Sequence, residues 1–143
     1  MTSATLSPFA ASLYVALGGG VGALMRFQVG RAAAHFIGTA GGFPWATLAV
    51  NVIGSLLMGV LLGWLARSSH TPQSAETIRL LLGVGLLGGF TTFSAFSAEM
   101  ITLIHRGQML QGLAYGSVSV LAGMAAFLAG LVVMQTVMMQ SAP

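Results

Sequence analysis

The chain has no lysine, no aspartate and no cysteine, and only seven of its 143 residues carry a formal charge: five arginines and two glutamates. A soluble domain carries roughly a quarter charged residues. Seven charges cannot cover a water-facing surface of this size, so lipid is the solvent for most of the chain. Without cysteine there are no disulfides or thiolate metal sites, and the redox compartment is left open. The high isoelectric point follows from the missing acids and not from a basic patch, which removes support for nucleic-acid binding. The glycine clusters lack a lysine and a preceding strand, which excludes a phosphate loop. No second acid lies near Glu99 and no histidine near a nucleophile, so enzymatic chemistry has little to stand on. His35, His70 and His105 sit at loops or helix ends without a partner at metal-ligand spacing.

What is present is long, neutral and apolar. Residues 1–25, 32–66, 80–98 and 107–143 contain no charge, and a membrane span needs about 20 mostly apolar residues. Each run supplies one helix. The expected architecture is an all-α membrane protein with one domain over residues 1–143 and helices over about 8–36, 45–66, 75–106 and 109–139. No basic region precedes the first apolar stretch, so that stretch is read as a retained helix and not a signal peptide. The breaker cluster from Gly38 to Pro44 separates helices 1 and 2, with Pro44 suited to the first turn of helix 2. Trp45 and Trp64 stand where they would anchor the two interfaces of that helix. Ser74 is the expected cap of helix 3, with Glu76 in its first turn, and Gly107 the expected stop.

Two helix faces carry small residues at four-residue spacing: Gly18, Gly22, Arg26 and Gly30 in helix 1, and Thr47, Asn51, Ser55, Gly59 and Gly63 in helix 2. Small residues let helix backbones approach closely where lipid removes the hydrophobic drive for association. The twenty glycines fit a compact bundle or an oligomer. Arg67 and Arg79 fall on one side of the expected membrane, and Arg31 and Arg106 on the other, with Arg26 nearby in helix 1. Orientation follows an arginine and lysine excess in cytoplasmic loops, and this even split gives little instruction. One outcome is insertion in both orientations with antiparallel pairing; the other is that a single arginine still decides.

The segment from Gly85 to Glu99, in the middle of helix 3, is the most unusual. Gly88-Gly89 followed by Thr91-Thr92 weakens a helix on both sides of one point. The expected result is a break at mid-membrane, with two half-helices meeting at Gly88-Gly89 and freed backbone satisfied by protein, water or an ion. The alternative is a packing notch in a continuous helix, its hydroxyls bonded back to their own backbone. Phe93 and Phe96, at i and i+3, share a face. They are either ordinary packing or a pair of rings whose positive edges can face an anion. Asn51, the single asparagine, is either helix–helix glue or a pathway group with two donors. Thr47 and Ser55 extend its polar face, and Tyr115 and Ser119, at i and i+4, would continue a line of hydroxyl donors. Glu99, the acid near a span, is a functional candidate or an interfacial residue. Arg26 either snorkels to the interface or places positive potential at a pore mouth.

Three motifs, Gly18-Gly-Gly-Val-Gly-Ala-Leu-Met-Arg26, Thr47-Leu-Ala-Val-Asn51-Val-Ile-Gly54-Ser55 and Gly88-Gly-Phe-Thr-Thr-Phe-Ser-Ala-Phe-Ser-Ala-Glu99, occur in order in three of the four helices. In them the chain resembles the small bacterial fluoride channels called Fluc or CrcB. The third motif is highly specific. The resemblance implies a multi-pass protein of the bacterial inner membrane, an antiparallel homodimer of dual topology with two fluoride pores. It implies a structural sodium ion at the dimer centre, held by backbone carbonyls at the helix 3 breaks, here those of Gly88 and Thr91. Phe93 and Phe96 match the rings lining the anion path, Asn51 the pore amide and Arg26 the vestibule arginine. Thr47 and Glu99 match polar residues along the route, and Tyr115 and Ser119 the helix 4 polar track. A further hydroxyl expected one turn later is Gly123 here, and Ala95 stands where a hydroxyl residue is common.

Fluoride is small and strongly hydrated, so a pore must replace its water with closely placed donors, which Asn51, Tyr115, Ser119 and the ring edges supply. The implied function is passive, fluoride-selective export. The competing reading is a dual-topology, proton-coupled exporter, which would want a membrane acid deep in helix 1, where this chain has Arg26. A third reading is a non-transporting membrane subunit whose polar faces serve assembly alone.

Overall fold

A computed structural model describes residues 6–36 and 42–140. All secondary structure in these residues is helical: α1 (Pro8–Phe36), α2 (Trp45–Leu65), α3 (Pro72–Ile78, continuing through wide turns Arg79–Leu87 to Gly88–Phe90), α4 (Phe93–His105) and α5 (Met109–Gln140). Four stretches are long and apolar enough to cross a membrane: Pro8–Phe36, Trp45–Leu65, Pro72–His105 and Met109–Val137. Their outward faces carry exposed side chains such as Leu24, Phe27, Leu110, Leu121 and Met124, as expected of helices solvated by lipid. The residues 38–41 of the first breaker cluster lie outside the described residues.

Helix ends follow local chemistry. α3 begins at Pro72, three residues before the sequence expectation, because Thr71 and not Ser74 caps it. Thr71 Oγ1 accepts from the Ser74 amide at 3.2 Å, and Pro72 fits the first turn, where no amide partner is needed. Glu76 pairs with Arg79 at 2.8 Å on the exposed face of that first stretch. At the far end Gly107 adopts φ 77°, a left-handed conformation open to glycine without steric cost. It ends α4 as its amide and that of Gln108 fold back on the Ile104 and Leu103 carbonyls.

The bundle is built from two tight pairs. α1 packs chiefly on α3, and α2 chiefly on α5. Each pair meets backbone to backbone. A β-carbon at Gly22 would run into the Leu86 carbonyl and stand 2.7 Å from the Phe90 amide nitrogen; one at Gly85 would stand 3.0 Å from Gly18 Cα. Across the other pair, Gly59 lies against the Phe127 carbonyl and Gly130 against that of Leu56. Contacts advance together along both chains (Gly18 with Gly85, Gly22 with Phe90; Gly59 with Phe127, Gly63 with Met134), so the members of each pair run parallel. Gly20 and Gly30, which belong to no such contact, face open space. α4 rests on α5 around a small core of Phe96, Leu103 and Tyr115.

Candidate functional site at the helix interruption

The helical path breaks after Phe90. Thr91 (φ −81°, ψ 159°) and Thr92 (φ −150°, ψ 124°) are extended, and α4 resumes at Phe93. The interruption therefore falls at the two threonines and not at Gly88-Gly89, which remain helical. The physical reason is that Gly89 is used in packing. A β-carbon at Gly89 would collide with the Gly19 carbonyl, so this turn is clamped against α1. The stiff, β-branched threonines are the residues that leave the helix.

Several backbone groups at the interruption find side-chain partners. In an unbroken helix the Thr92 amide would bond to the Gly88 carbonyl; here it donates to Asn51 Oδ1 at 2.8 Å. Asn51 Nδ2 donates in return to the Thr92 carbonyl at 3.0 Å. The Ala95 amide, whose helical partner would be the Thr91 carbonyl, is capped by Thr92 Oγ1 at 3.2 Å. The Gly89 carbonyl accepts Arg26 Nε at 3.2 Å, while Thr91 Oγ1 donates to the Leu87 carbonyl at 3.0 Å. The carbonyls of Gly88 and Thr91 thus lose their helical partners to other acceptors. Arg26 thus reaches across from α1 to the backbone of α3. It lines a 370 Å³ cleft together with Arg31, Thr47, Thr92 and Ala95.

Thr47, one turn before Asn51 on α2, donates to Glu99 Oε1 at 2.8 Å. Tyr115, fully buried, donates to Glu99 Oε2 at 2.8 Å. Glu99 is thus bonded through both of its carboxyl oxygens. Its carboxyl is held from both sides by hydroxyls of α2 and α5, and it also lines a separate 330 Å³ cleft with Thr102 and Arg106. The Tyr115 ring is boxed by Phe96, at 5.2 Å between centroids, and by Phe43, edge-on at 5.5 Å. Phe93 and Phe96 lie 5.6 Å apart with planes tilted by 42°. Phe96 is buried, whereas Phe93 is 79% exposed on its own chain. Ser119 is buried at 8% exposure, and its Oγ has no hydrogen-bond partner among the described residues.

The structure gathers Asn51, Phe93 and Arg26 around the interruption, and Thr47, Glu99, Tyr115 and Phe96 beside it. Ser119 continues one turn further along α5. Two contributors escaped sequence reasoning: the Thr92 hydroxyl as cap of α4, and Phe43 as the edge-on wall of Tyr115. The threonine pair was a visible signal for the first. Phe43 lies in a loop, where nothing in the local pattern marks a ring as structural.

Comparison with known proteins decides the family. The family model described as CrcB-like protein, Camphor Resistance (CrcB), matches residues 13–131. The chain belongs to the CrcB family. It is 52% identical over 127 residues to a protein of Novosphingobium aromaticivorans named fluoride-specific ion channel FluC, with 89% of this chain and 98% of the relative aligned. Relatives of the same name from Erythrobacter litoralis and Caulobacter vibrioides are 49% and 47% identical over 129 and 125 residues. These alignments cover 89% and 87% of this chain, and 93% and 95% of the relatives. The matched region spans the interruption and the residues gathered at it, and the chain is a multi-pass membrane protein of this channel family.

Proposed function

We propose that the chain is one subunit of a fluoride-selective channel of the bacterial inner membrane. It would conduct passively and lower fluoride on the cytoplasmic side. The observation that carries this reading is the donor-rich seam at the helix interruption, in a chain about half identical over nearly its whole length to proteins named as fluoride-specific channels. A strongly hydrated anion needs hydrogen-bond donors in place of water, and a carbonyl ring would repel it. Asn51 and Ser119 offer such donors, Tyr115 stands between them with its hydroxyl proton on Glu99, Phe93 and Phe96 offer ring edges, and Arg26 at the cleft raises the local concentration of anions. Asn51 still has one amide hydrogen to offer, since its bonds to Thr92 use one donor and one acceptor.

The working unit in this reading is an antiparallel homodimer with the interruption at mid-membrane. Exposed Phe93 and the even arginine split support an inverted second copy. A sodium ion would bind the carbonyls of Gly88 and Thr91. The donor set fits: both oxygens have given up their helical partners, and discontinuous membrane helices bind cations through carbonyls released in this way. Among the described residues no cluster of three His, Cys, Asp or Glu side chains competes for a metal. The ion would supply positive charge that ties the half-helices together; the anion path itself is lined by side chains.

Efflux from liposomes holding the purified protein tests the function, comparing fluoride, chloride and an imposed pH gradient. Rapid fluoride flux without chloride flux is expected. Flux that requires the pH gradient would turn the assignment to a proton-coupled exporter, and no flux at all would turn it to a non-transporting subunit.

A further inference from the structure

α2 presents Thr47, Asn51 and Ser55 on one face at four-residue spacing. The first two are engaged, with Glu99 and Thr92 respectively. Ser55, one turn further, has no such partner among the described residues. It points across the α2–α5 crossing at the position where α5 carries glycine: a β-carbon on Gly123 would stand 3.4 Å from Ser55 Oγ. The same space belongs to a 470 Å³ cleft lined by Ser55, Ser119, Gly123 and otherwise apolar side chains that include Phe127 and Leu128. Ser119 Oγ is buried and unpartnered at this cleft.

A buried hydroxyl left without a partner costs free energy unless something completes it. Ser55 and Ser119 are the two hydroxyl residues in the lining of this otherwise apolar cleft. Neither brings a carbonyl or carboxylate that would oppose an anion. Because α2 and α5 run parallel, each turn along α2 keeps step with one along α5. Thr47 meets Tyr115 through Glu99, and Ser55 lies opposite Gly123, two turns beyond Tyr115. The next two positions on this line of α5, Gly123 and Phe127, carry no donor side chain; the hydroxyl opposite Gly123 comes from α2.

We propose that Ser55 is an anion-binding residue of the conduction path, supplying from α2 the hydroxyl that Gly123 does not supply from α5, and that it acts together with Ser119 on one small anion. This rests on the fluoride-channel reading and adds one site to it. Glycine at 123 leaves the Ser55 hydroxyl room to reach the cleft.

The test is fluoride efflux from liposomes with wild type, Ser55→Ala, Gly123→Ser and the double variant Ser55→Ala/Gly123→Ser, each first confirmed as monodisperse with wild-type elution. Ser55→Ala is expected to slow fluoride efflux roughly tenfold, as for loss of one hydrogen bond to an anion. The double variant is expected to recover most of that loss, because the serine at 123 returns a hydroxyl to the same space. Wild-type flux in Ser55→Ala would overturn the proposal. So would a slowed Ser55→Ala that the double variant does not rescue, which would assign Ser55 to packing. Absence of flux in wild type would instead overturn the channel reading itself, so the two failures are distinguishable.

Discussion

Where α1 crosses α3, backbone meets backbone: Gly18, Gly19 and Gly22 lie against Gly85, Gly89 and the carbonyls around them, and no side chain intervenes. Where α2 faces the interruption, the reverse holds. Asn51, Thr47, Glu99 and Tyr115 fill the seam with hydrogen bonds of 2.8–3.0 Å. Both regions hold helices together without help from the hydrophobic effect, which lipid cancels. The glycine crossing does so by shape alone and tolerates no added atom. The polar seam does so by bonding the Thr92 amide and carbonyl to Asn51 and still presents donors to the space beside it. Rigidity on one side of α3 is what allows irregular backbone on the other.

Substitutions can separate these two kinds of contact. Gly22→Leu is expected to have the largest effect. Its side chain would have to displace the Leu86 and Phe90 backbone, at a cost of at least about 3 kcal/mol, and size-exclusion chromatography should find little or no folded protein. Asn51→Asp comes next. It keeps the acceptor for the Thr92 amide, loses the donor to the Thr92 carbonyl and places a carboxyl group in the anion path. Fluoride efflux should fall by at least about tenfold while the protein still elutes as folded material. Phe93→Ile should reduce fluoride flux sharply and leave the thermal midpoint of the protein unchanged, since the ring packs little within its own chain. A lowered midpoint would assign Phe93 to packing. Tyr115→Phe removes one of two hydroxyls from Glu99 and should lower stability by about 1–2 kcal/mol, read in a thermal melt. The smallest effect belongs to Gly20→Ala, which meets open space. Its stability should stay within about 1 kcal/mol of wild type, and a large loss there would break the distinction between packed and unpacked glycines.

Much of this was legible in the chain itself. Charge-free runs give the count of four spans because a bilayer tolerates few charges and has a fixed thickness. The four-residue spacing of Gly18 and Gly22, and of Gly59 and Gly63, marks the crossings because helices repeat close to that period. The same spacing says nothing about Gly30, which turned out to face open space, since periodicity identifies a face but not how far along it the partner helix reaches. The threonine pair and the double glycine were both visible as helix breakers, and sequence alone could not rank them. Rank depended on α1, which clamps Gly89 and leaves Thr91 and Thr92 as the residues free to depart.

The covalent chain by itself settled composition, span count and the places where a helix is weak, because these depend on side-chain chemistry and helical period. It did not settle which weak point yields, that Arg26 reaches the Gly89 carbonyl, or that one carboxyl joins Thr47 to Tyr115. Those pairings link residues 63, 52 and 16 positions apart, and such distant groups come within hydrogen-bonding range only when the glycine crossings fix the register of one helix against another.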